Sequence, residues 1–123
     1  MKKIFFYTDV LPLLSKEKIA IDKLKDNLKL FRETSDKILL VWHPWSKTEE
    51  YLEINRSAVT EEYLNIVKEY KKASWGELDE SDTMEKAKEK LLSCDAYYGD
   101  VSELAFYAQD AKIPVMIRNI EIL

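Results

Sequence analysis

The chain has 123 residues, 46% of them apolar and 34% charged, with 19 basic against 23 acidic side chains and a formal net charge of −4. That length is one domain, and no stretch is long enough to span a bilayer. The acidic balance excludes nucleic acid as the main partner, because there is no cationic surplus to neutralise a phosphate backbone, and it gives no attraction to acidic membranes.

Cys94 is the sole cysteine. Small secreted domains often carry paired cysteines, so a reducing compartment is expected. The start, Met1 to Tyr7, begins like a signal peptide, but Asp9 and Pro12 interrupt it before an apolar region of useful length forms. A cytoplasmic location is expected.

Ile4 to Tyr7 is a short apolar run without helical spacing and predicts a buried strand. Ser15 is placed to cap the next helix, where Ile21, Leu24, Leu28 and Phe31 share one face. Lys37 to Trp42 predicts a second buried strand, stopped by Pro44, and Trp45 to Val59 a loop with a short helix. Thr60 opens a helix with Glu61 and Glu62 at its start and Tyr63, Val67 and Tyr70 on its inner face. After Trp75-Gly76, a short strand is expected at Glu77-Leu78. Ser81 or Asp82 is then expected to cap a helix carrying Met84, Ala87 and Leu91. Asp95 to Tyr98 is strand, Gly99-Asp100 a turn, Ser102 to Asp110 a short helix, and Pro114 to Ile117 the last strand. Such alternation predicts one α/β domain over 1–123: three layers, doubly wound and Rossmann-like, with a mostly parallel sheet of about five strands.

In such a sheet, ligands bind beyond the carboxyl ends of the strands, where strand order reverses. The residues predicted there are Thr8 and Asp9, His43, and Gly99, Asp100 and Ser102. Gly99 permits a tight turn and close backbone approach, and the helix start after it offers free N–H groups to a phosphate. A simple cap at Asp100 or Ser102 is the commoner role for such residues. His43 at a strand end can donate to a phosphate or act as an acid or base. Trp42 and Trp45 flank it and either stack on a ligand or cover the core edge. Asp79, Glu80 and Asp82 read as a solvated helix start ahead of a magnesium site. With one histidine and one cysteine no metal site is expected, and with only two glycines the dinucleotide fingerprint is absent, so no cofactor is expected. Cys94 reads as a buried small apolar residue.

The chain resembles the carboxyl-terminal, Rossmann-like half of GT-B transferases, especially proteins similar to CDP-glycerol glycerophosphotransferases of Gram-positive bacteria. The resemblance is carried by Lys3 to Thr8, by His43-Pro44, by Trp75-Gly76 with Asp79, by Cys94-Asp95-Ala96-Tyr97-Tyr98-Gly99-Asp100, and by Ile113 to Asn119. It implies a domain that binds a nucleotide donor, either CDP-glycerol or a nucleotide sugar, in cell-wall polysaccharide (teichoic acid) chemistry. His43 and Ser102 would face the donor phosphates, with Gly99 and Asp100 shaping the loop. Relatives usually carry a second serine where this chain has Glu103, and an arginine shortly before the histidine. A carboxylate at Glu103 would repel a pyrophosphate. The partners this implies are a nucleotide-linked small molecule and an amino-terminal domain or partner chain supplying the other half; a homodimer is also admitted. Two other readings stand beside it: a non-catalytic binding or assembly module, and a nucleoside-processing enzyme with Glu103 as nucleophile.

Overall fold

A computed structural model describes residues 1–118. The apolar run at the start forms strand β1 (Lys2–Thr8) in the middle of the sheet. Helices α1 (Leu11–Lys16) and α2 (Lys18–Glu33) lead to β2 (Ile38–Pro44), and α3 (Thr48–Ile54) and α4 (Thr60–Lys72) lead to β3 (Gly76–Leu78). Then α5 (Met84–Leu92), β4 (Ala96–Gly99), α6 (Glu103–Asp110) and β5 (Val115–Ile117) complete the described chain. All five strands are parallel, in the order β3-β2-β1-β4-β5. The chain builds outward from β1 to β3, crosses back, and builds outward again through β4 to β5. The switch point therefore lies between β1 and β4, as a doubly wound sheet requires.

Strand alternation divides the core into two layers. Phe6, Leu40 and Trp42 point to the face covered by α2 and α4, where Ile21, Leu24, Leu28, Phe31, Tyr63, Val67 and Tyr70 meet them. Phe5, Tyr7, Val41 and Tyr97 point to the opposite face, against Ala87, Leu91, Leu104 and Ala108 of α5 and α6. Each large apolar side chain buried in this way contributes about 1.5–3 kcal/mol. The helical faces read from spacing are the buried ones, except that Met84 is exposed.

Several local expectations are corrected. Ser15 is not a cap: it lies inside α1 and donates its hydroxyl to the Leu11 carbonyl. The break between α1 and α2 falls at Glu17, which takes φ 45°. Neither Ser81 nor Asp82 caps α5; Thr83 does, its hydroxyl accepting from the Lys86 N–H at 3.2 Å. Pro44 is the last residue of β2, paired with Thr8, rather than a residue beyond it. Cys94 is free and buried, and burial pushes its thiol up. No helix among the described residues is long and apolar enough to cross a membrane. Asn119, the last residue of the Ile113–Asn119 run, lies outside the described residues.

Gly99 is fixed by its neighbour. Its φ is 153°, and a Cβ there would stand 2.1 Å from the Tyr7 carbonyl oxygen on β1. The glycine lets β4 close onto β1, not onto a ligand. Gly99→Ala is expected to lose more than about 3 kcal/mol of stability through backbone collision and a disfavoured dihedral. Urea denaturation measures this, and a loss below about 1 kcal/mol contradicts the close approach.

Candidate functional site

The residues at the carboxyl edge divide into those that hold the edge together and those that line a cavity. Thr8 belongs to the first group. It is buried, and its hydroxyl accepts a hydrogen bond from Trp42 Nε1 at 3.0 Å. Trp42 has no exposed surface and packs edge-on against Tyr63 and Tyr70. Neither residue is available to a ligand: of the two roles expected for Trp42, covering the core holds and stacking does not, and the expected place of Thr8 in the cleft is corrected. The physical reason is strand parity: Trp42 points to the α2–α4 face and its neighbour His43 to the other.

Asp100 is also structural. Arg118 grips it with two hydrogen bonds, Nε to Oδ1 at 3.1 Å and Nη2 to Oδ2 at 3.0 Å. Both side chains are buried, with 8% and 3% of their surfaces exposed. The Asp9 N–H donates to Asp100 Oδ2 at 2.8 Å, and the Asp100 N–H donates to the Tyr7 carbonyl at 3.1 Å. Arg118 continues to Asn27 Oδ1 at 3.3 Å, lies 5.6 Å from the Phe6 ring centroid, and donates its own N–H to the Gly99 carbonyl. Asn27 in turn donates to the Tyr98 hydroxyl. The loops after β1 and β4 are thus sewn directly to each other at the switch point. Arg118 directly follows the strand expected at Pro114 to Ile117, and an arginine at the end of an apolar strand is the sequence signal for this role.

The second group lines a cavity of about 100 Å³ between β2, the start of α5 and the start of α6. His43, Trp45 and Ser102 border it, together with Tyr7, Ser81 and Asp82. Ser102 caps α6: its hydroxyl accepts from the Ala105 N–H at 3.3 Å and lies 3.0 Å from the Tyr97 hydroxyl. The first N–H groups of that helix have no intrahelical acceptors. Trp45 is half-buried and packs edge-on against Tyr51. Tyr7 donates its hydroxyl to Asp9, and burial with that carboxylate pushes its phenol well above its usual range. The site therefore unites His43, Trp45 and Ser102, while Thr8, Trp42, Gly99 and Asp100 serve the frame around it.

His43 is buried, its ring lying against Phe5 and Tyr7 at centroid distances of 5.4 Å and 5.8 Å. Asp79 reaches it because the Asp79 N–H donates to the Trp42 carbonyl at 2.8 Å and extends the β2–β3 pairing by one residue. The Asp79 carbonyl oxygen is 3.2 Å from His43 Nδ1, and carboxylate Oδ2 is 3.0 Å from it. The carbonyl has hydrogen-bond geometry. Oδ2 is an ionic neighbour off the hydrogen-bond line and is otherwise without a donor. Ser81 donates to Oδ1 at 2.9 Å. Burial works to raise the Asp79 carboxyl, but His43 and Ser81 outweigh it and hold the group below its ordinary range. Asp79 is thus the histidine's partner, which corrects the expectation of a solvated helix start for that residue alone; Glu80 and Asp82 are exposed as expected.

Glu103 lies outside the cavity lining, with 64% of its side chain exposed and Lys88 Nζ 3.1 Å from its carboxylate. The expected repulsion of an anion by Glu103 has no geometric basis. A larger concavity, about 980 Å³, is an open groove between α2 and α4, away from the carboxyl ends of the strands. Size alone does not make it the site: the Tyr70 hydroxyl in its lining is spent on the Leu40 and Glu77 carbonyls, and Glu62 is paired with Lys18 and Lys25. Among the described residues no cluster of three or more His, Cys, Asp or Glu side chains is placed to hold a metal ion. No family model matches the chain, and no curated protein is significantly similar to it.

Two stability outcomes follow. Arg118→Met strands a buried carboxylate and is expected to cost about 3–5 kcal/mol, whereas adding Asp100→Asn recovers most of the loss. Urea denaturation of the single and double variants checks this; strict additivity refutes the coupling. For Asp79, the folded carboxyl titrates below its unfolded value, so its contribution exists above the unfolded range and disappears as pH falls through the folded one. Asp79→Asn should cost about 1–2 kcal/mol above the carboxylate range, and the cost should fall as pH drops through that range. Denaturation across pH reads the difference, and a penalty constant into acid contradicts it.

Proposed function

We propose that the chain is a ligand-binding domain of a GT-B-like transferase, holding the phosphate end of a nucleotide-linked small molecule such as CDP-glycerol or a nucleotide sugar. The observation that carries this reading is His43: a buried histidine with Nδ1 engaged and Nε2 without a hydrogen-bond partner among the described residues, bordering a cavity shared with a helix start. A cavity of about 100 Å³ admits a phosphate-sized group but not a nucleotide, since sites for whole ligands run to about 300–1,000 Å³. The rest of the ligand would lie outside it, under an amino-terminal domain or partner chain. A cytoplasmic setting belongs to the same reading. Chemistry that joins donor to acceptor needs both halves, because positioning two reactants supplies much of the rate.

Isothermal titration with CDP-glycerol, CDP and cytidine tests it. The two phosphate-bearing ligands should bind weakly and cytidine not at all. His43→Ala should lower affinity about tenfold or more, the worth of a charged hydrogen bond. Glu103→Ser should change nothing, and the purified chain alone should transfer no glycerophosphate. Equal affinity of wild type and His43→Ala, or no binding of any nucleotide diphosphate, overturns the reading.

A further inference from the structure

The two acceptors beside His43 settle where its proton sits. Nδ1 faces the Asp79 carbonyl oxygen at 3.2 Å and carboxylate Oδ2 at 3.0 Å. Neither can donate, so Nδ1 must carry a hydrogen. The neutral ring then turns a bare lone pair at Nε2 toward the cavity. A lone pair repels the oxygen of a phosphate or sulfate; only the doubly protonated ring donates to it.

Nothing else in the lining supplies the missing positive charge, for it contains no lysine or arginine. Of the charged groups on the surrounding elements, Glu85 and Glu89 of α5 and Asp110 of α6 add only negative charge, and Lys90 faces Asp79 as well as Glu77. On the β1 side Asp9 accepts from Tyr7. Beyond β4, Asp100 is held by Arg118. At α5, Asp82 pairs with Lys86, and Lys90 pairs with Glu77 of β3. At α6, Glu103 pairs with Lys88. Asp79 remains, with Oδ2 buried beside the histidine and lacking any hydrogen-bond partner.

Resting on the phosphate-seat reading above, we propose that Asp79 is a positioning residue that makes oxyanion binding at His43 proton-linked: the anion enters with one proton on Nε2. Asp79 fixes the tautomer that leaves Nε2 bare when neutral, and its carboxylate supports the imidazolium when the anion arrives. The site would take tetrahedral oxyanions strongly in mild acid and release them as pH rises.

Sulfate is the probe, because its charge does not change across the pH range used. Titration of the full chain between about pH 5.5 and 8.5 should show affinity falling about tenfold per unit above the histidine range. Calorimetry in buffers of different ionisation heat should show uptake approaching one proton per sulfate on the alkaline side. Asp79→Asn should weaken sulfate binding at the acid end, where the carboxylate supports the imidazolium, and His43→Gln should leave weak binding with no pH dependence. His43 is the only histidine, so nitrogen NMR of the labelled ring reads the tautomer in the wild type without any variant. Protonated Nδ1 and bare Nε2 at alkaline pH are expected. Sulfate affinity flat with pH, or a neutral ring protonated at Nε2, overturns this inference and leaves the phosphate seat standing. No sulfate binding even at the acid end overturns both.

Discussion

A buried carboxylate must be neutralised, and at the switch point of this sheet that requirement is met by Arg118 on Asp100. Leaving either charge alone in the interior would cost several kcal/mol. The pair does more than cancel charge. Asp100 also accepts the Asp9 N–H, while Arg118 touches Asn27 of α2 and the Phe6 ring of β1. Loops after β1 and β4, the core helix α2 and the end of β5 are therefore oriented by one network. Gly99 makes it sterically feasible by letting the two central strands approach.

That network moves the candidate site. In an open parallel sheet the crevice between the diverging loops is the usual seat of a ligand. Here the loops bond to each other across it. The usable concavity lies to one side, over the face bearing Phe5, Tyr7 and Val41, where His43 emerges from β2 and α6 begins. The cavity is small because it is bounded by packed aromatic rings and by the capping hydroxyl of Ser102.

The sheet was legible because its signals are local. Short apolar runs, helical stripes such as Ile21-Leu24-Leu28-Phe31, and their alternation leave few topologies. Strand parity was legible too, yet the two tryptophans were weighed together; alternation from Phe5 and Phe6 would have separated Trp42 from His43. The helix starts failed where several small polar residues stood in a row, since Ser81 spends its hydroxyl on Asp79 and leaves the cap to Thr83. The Asp79–His43 and Asp100–Arg118 pairs were not legible. Each joins segments brought together only by strand order, and an isolated acidic run looks the same whether it meets water or a histidine. Glu103 misled for the opposite reason: its position suggested an inward carboxylate, and Lys88 holds it outward.

The reach of Arg118 along the chain has a consequence for how the molecule is made. Its partners Asp100 and Asn27 precede it by 18 and 91 residues. During synthesis β1, β2 and β4 all leave the ribosome before the guanidinium that neutralises Asp100 does. The carboxyl edge of the sheet therefore cannot take its final form until the chain through Arg118 has been made. Until then the Asp100 carboxylate lacks the partner that neutralises it in the folded domain, and burying it alone would be costly.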